Sequence, residues 1–454
     1  MQIQQILFFT LCFWTTLPVP SSVAQDIKIG TFSVNVSPPL GSPVAYAPAR
    51  KILDPLTARG VVIKSDQAAI VLCAVDYLGI ANEGLQEWKT QLAAAARTTT
   101  DRVWVSAVHQ HDGMRCDLTL EKILDEYGLG GTRLDVPVIM ESIAKTAKAV
   151  ARASRKAKPV THIGFGEAKV EKVASNRRIL DPVADTVEII RWSKSQDSLA
   201  IAAPEGLIDP WIKSVSFWKG DKTIAVMTYY ATHPQSYYGW GDVTSEFVGL
   251  ARRARERKLK TPHIHFNGAS GNVAAGKYND GSKEMRPILA HRMAEGMRKA
   301  WEQTDKQPIT ATDLTWKTVD VALPIGEHLI ESELRAMLAH DSLLQMKKFV
   351  AAKHLAWLQQ MQAGKKIDIS FLQLGDIGLL HLPGELFIEY QLTAQKLVPD
   401  LELCVAAYGE YGPGYIGTKR AYSQGGYETS ERASRVSPEV EQVLMSAIRE
   451  ILTK

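Results

Sequence analysis

The sequence predicts a mixed α/β or α+β fold, formed as a single large layered domain with mixed sheets. Of its 454 residues, 45% are apolar and 22% are charged, which is typical of a globular chain with a sizeable core. Short β-branched runs recur along the chain between amphipathic segments of helical length. No internal repeat, low-complexity linker or break in composition divides the sequence. These observations favour one large domain over two separate ones.

The pattern of residues 1–24 predicts a secretory signal peptide that is cleaved after about Ala24. Residues 6–19 are uncharged and strongly apolar, and residues 22–24 (SVA) place small side chains where a signal peptidase cuts. Residues 1–5 contain no lysine or arginine, so an N-terminal anchor is the alternative, although the apolar run is short for a membrane span. We therefore expect a secreted or periplasmic protein whose mature domain comprises residues 25–454.

Cysteines are too few and too irregularly spaced to form a framework. Removal of Cys12 with the signal peptide leaves Cys73, Cys116 and Cys404, with no C-x-x-C pair among them. A disulfide scaffold or a cysteine-based zinc knot is therefore not expected.

The first half of the chain predicts strands that end in polar residues. A strand at 27–36 must end at Pro38 and Pro39, which cannot donate to a sheet ladder. A hairpin follows at 60–63 and 68–75, then a helix at 83–97, then a strand that runs into His109. Residues 114–135 contain a cluster of glycines and are expected to form a flexible loop over the site.

The second half continues this alternation of strands and helices. Residues 252–258 are rich in arginine, but the run is short and lacks aromatic residues, so we expect a solvated helix face and no nucleic-acid partner. The remaining predicted elements are helices at 138–157, 246–258, 286–301, 331–361, 386–397 and 438–451, and strands at 163–173, 187–192, 215–218, 223–231, 264–267, 369–374 and 378–382.

Histidines gather where predicted strands end. In a strand, His109 and His111 would point to the same side, roughly 7 Å apart. Two histidines and a carboxylate with one open position would make a hydrolytic zinc site, because zinc prefers nitrogen and oxygen ligands and lowers the pKa of bound water. The sequence offers several such sets, since His233 ends a strand, residues 263–265 (HIH) repeat the pattern, and His381 lies near Glu385. Spacing alone does not choose among them.

A serine hydrolase is the competing interpretation. Residues 268–272 (GASGN) nearly match the nucleophile elbow around Ser270, but Asn272 stands where the elbow needs glycine. An ordinary turn is the simpler interpretation of this pentapeptide.

A series of short motifs then occurs in a fixed order along almost the whole mature chain. They are residues 30–39 (GTFSVNVSPP), 108–111 (VHQH), 175–177 (SNR), 231–233 (ATH), 241–242 (GD), 270–272 (SGN), 382–385 (LPGE), 414–416 (GYI) and 427–428 (YE). In order and number this series resembles the catalytic domain of the neutral/alkaline (non-lysosomal) ceramidases, which are zinc amidases that cleave the N-acyl bond of ceramide. Each motif is weak alone, and the series as a whole is specific.

The resemblance implies a role for each matching residue. The zinc ligands would be His109, His233, Glu385 and Tyr415, and His111 would lie beside the metal and carry protons. Arg177 would face the substrate next to Asn176, Tyr427 would stabilise the developing oxyanion, and Ser270 would be either a nucleophile or a hydrogen-bonding group at the scissile bond. His263, His265 and His381 would then be structural.

The implied function is zinc-dependent hydrolysis of an N-acyl amide such as ceramide. The alternatives are a zinc hydrolase of the same fold acting on another amide or ester, and a zinc-binding protein without activity. The expected partner is a lipid or other small N-acyl amide, and transient contact with a membrane surface would bring a lipid within reach. Residues 112–116 (DGMRC) depart from the S-G-P-G-G of the ceramidases, Gly271 replaces a proline, and no C-terminal immunoglobulin-like domain is expected.

Overall fold

The computed structural model describes residues 26–453, so the predicted signal peptide lies outside the described residues. Within this range helices and strands alternate and form several mixed sheets, which confirms the predicted mixed α/β class. No helix between residues 26 and 453 is long and apolar enough to cross a membrane. The division into a signal peptide and one catalytic domain stays a prediction.

The regular elements are numbered in chain order. The strands are β1 (Lys28–Asn35), β2 (Lys51–Ile52), β3 (Thr57–Lys64), β4 (Ile70–Val75), β5 (Gly79–Ala81), β6 (Val103–Ala107), β7 (Arg115–Asp117), β8 (Lys158–Pro159), β9 (His162–Lys169), β10 (Ser175–Asn176), β11 (Arg178–Leu180), β12 (Val187–Ile190), β13 (Trp211–Lys219), β14 (Lys222–Tyr230), β15 (Asp242–Val243), β16 (His263–Asn267), β17 (Val273–Ala274), β18 (Asp305–Pro308), β19 (Leu314–Val321), β20 (Ile367–Leu374), β21 (Ile377–His381), β22 (Glu385–Leu386), β23 (Glu402–Ala406) and β24 (Tyr415–Ile416). The helices are α1 (Asn82–Ala96), α2 (Leu118–Glu126), α3 (Val136–Arg155), α4 (Ser198–Ala202), α5 (Glu246–Leu259), α6 (Met285–Glu302), α7 (Glu331–Ala339), α8 (Gln345–Gln362), α9 (Ile388–Leu397), α10 (Lys419–Ser423) and α11 (Val440–Thr453).

Three larger sheets form the frame, in the strand orders β6-β4-β3-β1-β8, β16-β14-β13-β9-β18 and β19-β20-β21-β23. Each sheet is antiparallel except for one parallel pair, namely β4 with β6, β14 with β16, and β21 with β23. The strands of these pairs are almost wholly buried and rich in apolar residues, as expected for strands covered on both faces. The polar residues predicted at strand ends therefore follow the carboxyl ends of these pairs.

Backbone hydrogen bonds join the ends of the three parallel pairs to one another. The amide of Ala107 donates to the carbonyl of Tyr408 at 3.0 Å, which links the first sheet to the third. The amide of Ala407 donates to the carbonyl of Asn267 at 2.9 Å, which links the third sheet to the second. These bonds hold the loops that follow the three parallel pairs close to one another.

Three local predictions were wrong. The strand before the histidine pair ends at Ala107, and His109 has a left-handed backbone with φ of 77°, so the two histidines do not alternate along a strand. Residues 114–135 are not a loop but contain β7 and α2, because the Asp117 side chain caps the helix by accepting from the amide of Leu120 at 3.0 Å. The long helix expected at 331–361 is divided into α7 and α8.

The arginine-rich run on α5 is not a solvated face throughout. Arg252 is fully buried, and its two terminal nitrogens donate to the two carboxylate oxygens of Asp76 at 2.9 and 2.7 Å. Asp76 also accepts from the amide and the hydroxyl of Thr57 at 2.8 and 2.7 Å. This network ties α5 to the carboxyl end of β4, below the histidine pair.

We expect Arg252→Met to destabilise the fold by about 3–5 kcal/mol, because it leaves the buried Asp76 carboxylate without its cation. Arg257→Met is the matched control, since Arg257 is exposed on the same helix. Urea unfolding followed by circular dichroism measures both variants. A loss below about 1 kcal/mol for Arg252→Met, as for an exposed pair, would contradict this interpretation.

Candidate metal centre and active site

The predicted metal ligands follow or begin strands of different sheets. His109 lies two residues beyond β6, and His233 lies three residues beyond β14. Glu385 and Tyr415 begin the short strands β22 and β24 and face each other as partners in a parallel ladder. The sequence separates these four residues by as much as 306 positions, and the joined strand ends bring them to one point.

Five polar side chains converge at this point. Oε2 of Glu385 lies 3.1 Å from Nε2 of His233 and 3.3 Å from Nε2 of His109. The hydroxyl of Tyr415 lies 3.4 Å from Nε2 of His233. Nε2 of His111 lies 3.2 Å from Nε2 of His109. His109, His111 and His233 are close enough together to hold one metal ion.

Backbone carbonyls fix the orientation of two of these histidines. Nδ1 of His109 donates to the carbonyl of Leu78 at 2.6 Å, and Nδ1 of His233 donates to the carbonyl of Ser270 at 2.6 Å. With the ring proton on Nδ1, each neutral imidazole presents the lone pair of Nε2 to the centre. Metal-ligating histidines are commonly held in this way.

The donor set fits a metal cation. A carboxylate oxygen lies within 3.3 Å of each of two imidazole lone pairs, and these atoms repel unless a positive charge lies among them. His109 and His233 are fully buried and Glu385 nearly so, so water does not screen the repulsion. The predicted metal site is therefore supported by these atoms, although they do not identify the metal.

Backbone strain at His109 is consistent with a functional position. A non-glycine residue with φ of 77° adopts a conformation that costs free energy and persists only where its surroundings enforce it. The ring of Tyr408 stacks on the imidazole of His109, with 4.5 Å between the ring centroids. Tyr408 has a left-handed backbone as well, with φ of 60°.

Arg177 lies behind Tyr415. Its Nη1 donates to the Tyr415 hydroxyl at 3.0 Å, and its Nε lies 3.0 Å from the carboxylate of Glu428. Burial opposes the charge of Arg177, but Tyr415 and Glu428 raise its pKa above the usual value. Arg177 is thus a buried cation that contacts the Tyr415 hydroxyl.

The other predicted site residues occupy different positions. The ring of Tyr427 borders a cavity that His111, Glu385 and Tyr415 also line, and it meets the ring of Tyr415 edge-on, with 5.8 Å between the ring centroids. Asn176 is buried, with its side-chain amide donating to the carbonyl of Leu207 at 2.9 Å. Neither Asn176 nor Arg177 is among the described residues that line this cavity.

Ser270 is buried below the centre. Its hydroxyl bonds to the hydroxyl of Tyr408 at 2.7 Å, and the side-chain amide of Asn267 lies 3.4 Å away. Within residues 26–453, neither a histidine nor a carboxylate hydrogen-bonds to this hydroxyl, so the arrangement lacks the base of a serine hydrolase. Its carbonyl holds His233, as described above.

Three tyrosines at the centre were missed by the sequence interpretation. The hydroxyl of Tyr46 lies 2.5 Å from Nδ1 of His111, and the hydroxyl of Tyr411 donates to Oε1 of Glu385 at 2.7 Å. Tyr408 supports His109 and Ser270. The sequence signal for Tyr408 and Tyr411 was the tyrosine-rich segment that also contains Tyr415, whereas nothing local marks Tyr46.

His263, His265 and His381 lie away from this centre. All three are buried within strands, where Nδ1 of His265 contacts the hydroxyl of Thr228 at 3.0 Å and Nδ1 of His381 contacts that of Ser370 at 2.9 Å. Burial lowers the pKa of each of the three to about 3. They are therefore neutral core residues.

A cavity of about 120 Å³ opens above the metal-ligand cluster. His111, Glu385, Tyr415 and Tyr427 form its floor, and residues of α8 form one wall.

Solved structures share this architecture. The neutral ceramidase from Pseudomonas aeruginosa matches with a TM-score of 0.68, over 94% of this chain and 74% of its own, at 15% sequence identity. The chain has the neutral ceramidase fold. A ceramidase complexed with C2 matches equally, with a TM-score of 0.68, over 94% of this chain and 75% of its own, at 13% identity. No family model and no curated protein matches the sequence.

The comparison confirms the predicted resemblance at the level of fold. At 13–15% identity the ceramidase fold is shared while most side chains differ. The roles of individual site residues therefore depend on the geometry described above.

Proposed function

We propose that this protein is a zinc-dependent hydrolase that cleaves the N-acyl amide bond of a lipid amide, as a ceramidase does. The observation that carries the proposal is that Oε2 of Glu385 lies 3.1 Å from Nε2 of His233 and 3.3 Å from Nε2 of His109, beside a cavity in a ceramidase fold. Two oriented imidazoles and a carboxylate are a donor set typical of catalytic zinc.

The proposed ligands are His109, His233, Glu385 and Tyr415. When bound, zinc would act as a Lewis acid and lower the pKa of a water molecule. Arg177 is a positioning residue in this scheme, because its Nη1 fixes the hydroxyl of Tyr415 from behind. Tyr411 similarly fixes Glu385 through Oε1, which leaves Oε2 directed at the centre.

Hydrolysis breaks the bond between the acyl carbon and nitrogen, adds oxygen from water to the acyl carbon and transfers a proton to the leaving amine. We assign the proton transfer to His111, which borders the cavity and lies beside His109. His111 would take the proton that the attacking water loses and pass it to the leaving amine, while the hydroxyl of Tyr46, 2.5 Å from Nδ1, orients the ring. Tyr427, also at the cavity, is the candidate donor to the oxygen of the acyl group.

Ser270→Ala separates a hydrogen-bonding role from a nucleophilic one. We expect kcat to fall by roughly 10-fold or less, because the hydroxyl supports Tyr408 through one hydrogen bond and the carbonyl that holds His233 remains. Loss of a nucleophile would instead lower kcat by about 10⁴-fold or more. Steady-state hydrolysis of a good amide substrate measures kcat for the variant. Tyr408→Phe should lower kcat by a similarly small factor, because it removes the same hydrogen bond between the two hydroxyls.

A substrate panel tests the proposed function. Zinc-loaded wild type and His109→Ala should be offered N-acyl-sphingosine, short N-acyl amides and the corresponding esters. Release of amine by wild type but not by His109→Ala supports the proposal. Ester cleavage without amide cleavage would favour an esterase of the same fold, and no turnover of any compound would favour a binding protein.

Export of the protein is part of the proposal, since a secreted or periplasmic location follows from the predicted signal peptide alone. The described cysteines, Cys73, Cys116 and Cys404, are buried and unpaired, so the fold depends on its core and not on disulfides. N-terminal sequencing of the exported protein would test the predicted cleavage after about Ala24.

A further inference from the structure

The wall of the cavity above the metal-ligand cluster is strongly cationic. Four of its lining residues are basic, namely Arg115, Lys353, Arg432 and Arg435. Among the described lining residues Glu385 is the only carboxylate, and it is engaged with two histidines and Tyr411. The cavity therefore has an excess of positive charge beside the proposed reaction centre.

The basic residues of this wall have no acidic partners among the described residues. Arg115 and Lys353 are half-buried and Arg432 is exposed, and none of the three forms an ion pair within residues 26–453. Arg435 is 5% exposed, and it donates from Nη1 to the carbonyl of Gly412 at 2.6 Å while its Nε is buried without a partner. A buried donor without an acceptor is costly, so an anion that reaches Nε of Arg435 would relieve that cost.

One acid close to this wall, Asp117, is engaged by hydrogen bonds of its own. Asp117 lines a small adjoining cavity that also touches Arg115, Lys353 and Arg435. Its carboxylate accepts from the side chain of Asn82 at 2.8 Å and from the amide of Leu120 at 3.0 Å, and burial raises its pKa to about 7.

The charge of Lys353 depends on what lies beside it. Burial lowers the pKa of Lys353 well below its usual value, and Arg435 and Arg115 lower it further, so a bound anion would favour the charged form of Lys353. The same cavity also has an apolar side formed by Met346, Phe349 and Val350, and Arg115 lies over the ring of Phe349 at 5.5 Å. A ligand matched to this cavity combines hydrocarbon with negative charge.

We propose that the substrate is an N-acyl amide whose amine half carries an anionic group, either a carboxylate or a phosphate, held by Arg115, Lys353 and Arg435. The inference rests on the proposed function and narrows its substrate class. The acyl half of a lipid amide is hydrocarbon and suits the apolar side, so the charge belongs to the amine half. Arg115 lies in residues 112–116, the segment that departs from the ceramidase motif, which is consistent with a different head group.

Matched substrate pairs test this inference. N-dodecanoylglycine is compared with neutral N-dodecanoylglycinamide, and N-dodecanoyl-phosphoethanolamine with neutral N-dodecanoylethanolamine. We expect wild type to prefer the anion in at least one pair by roughly 10- to 100-fold in kcat/KM, the range for one or two charge-assisted hydrogen bonds. The pair with the larger ratio identifies carboxylate or phosphate as the group bound.

Arg115→Gln and Lys353→Gln are expected to lower the preference by roughly 10-fold each while changing kcat/KM for the neutral partner less than about 3-fold. Lys347→Gln, an exposed lysine on the same helix as Lys353, is the matched control and should leave both values unchanged. Equal use of anionic and neutral substrates by wild type would overturn the inference. Equal losses on both substrates in the two variants would overturn it as well.

Failure of the proposed function gives a different result. If neither these four amides nor N-acyl-sphingosine is hydrolysed, the amidase proposal fails, and calorimetric titration of the zinc-loaded protein with the four compounds still tests the cationic wall. Hydrolysis of N-acyl-sphingosine alone would keep the amidase proposal and overturn the anionic substrate. Tighter binding of the anionic member, lost in Arg115→Gln, supports the wall as an anion site. Equal binding within each pair contradicts it.

Discussion

Replacing His233 by alanine is expected to lower kcat/KM for any amide substrate by roughly 10³-fold or more, since the metal would supply several kcal/mol of transition-state stabilisation. His233 is the centre of the proposed ligand set, because its Nε2 lies nearest to Glu385 and also faces Tyr415. The variant should also lose bound zinc, which plasma emission spectrometry of the dialysed protein measures independently of activity.

His291→Ala is the matched control for this variant, because His291 is exposed on α6. It should retain full activity and full metal content. A His233→Ala protein that is folded by near-ultraviolet circular dichroism, yet keeps zinc or more than about a tenth of the activity, would remove His233 from the ligand set.

Chelation has the second large expected effect. Dialysis against a strong chelator should reduce amide hydrolysis below about 1% of its initial value, since water is then no longer activated. Adding zinc to the dialysed protein should restore activity. Activity that persists in metal-free protein would contradict the metal mechanism.

The same metal removal should lower thermal stability. A ligand that binds only the folded state stabilises it by about 3–4 kcal/mol when present at roughly 100–1,000 times its Kd. Repulsion among His109, His233 and Glu385 adds to the loss in the metal-free protein. Differential scanning calorimetry with and without zinc measures the shift in Tm. Glu385→Gln removes the carboxylate charge, so zinc should raise the Tm of this variant by less than it raises that of wild type.

Much of the strand pattern follows from the sequence because it depends on local preferences. The hairpin of β3 and β4 and the strands that lead to His109 and His233 are β-branched or apolar runs of the expected length. The helix α2 was missed although Asp117 provides an N-cap, because the nearby glycines suggested a loop.

The details of the site do not follow from local pattern. His109 and His111 were predicted to lie on the same side because side chains alternate along a strand. They do lie close together, but a left-handed backbone at His109 brings them there and not a strand. Arg252 was assigned to solvent because its neighbours are charged, yet it pairs with Asp76, which lies 176 residues away in the chain. Contacts over such distances depend on how the sheets are joined.

The central claim is that His109, His233, Glu385 and Tyr415 hold one zinc ion on the floor of the cavity. An anomalous-difference map from a crystal of the zinc-loaded protein, with data collected on both sides of the zinc absorption edge, tests it most directly. We expect one strong peak among the Nε2 atoms of His109 and His233 and Oε2 of Glu385. No peak there, or a peak only elsewhere on the protein, would contradict it.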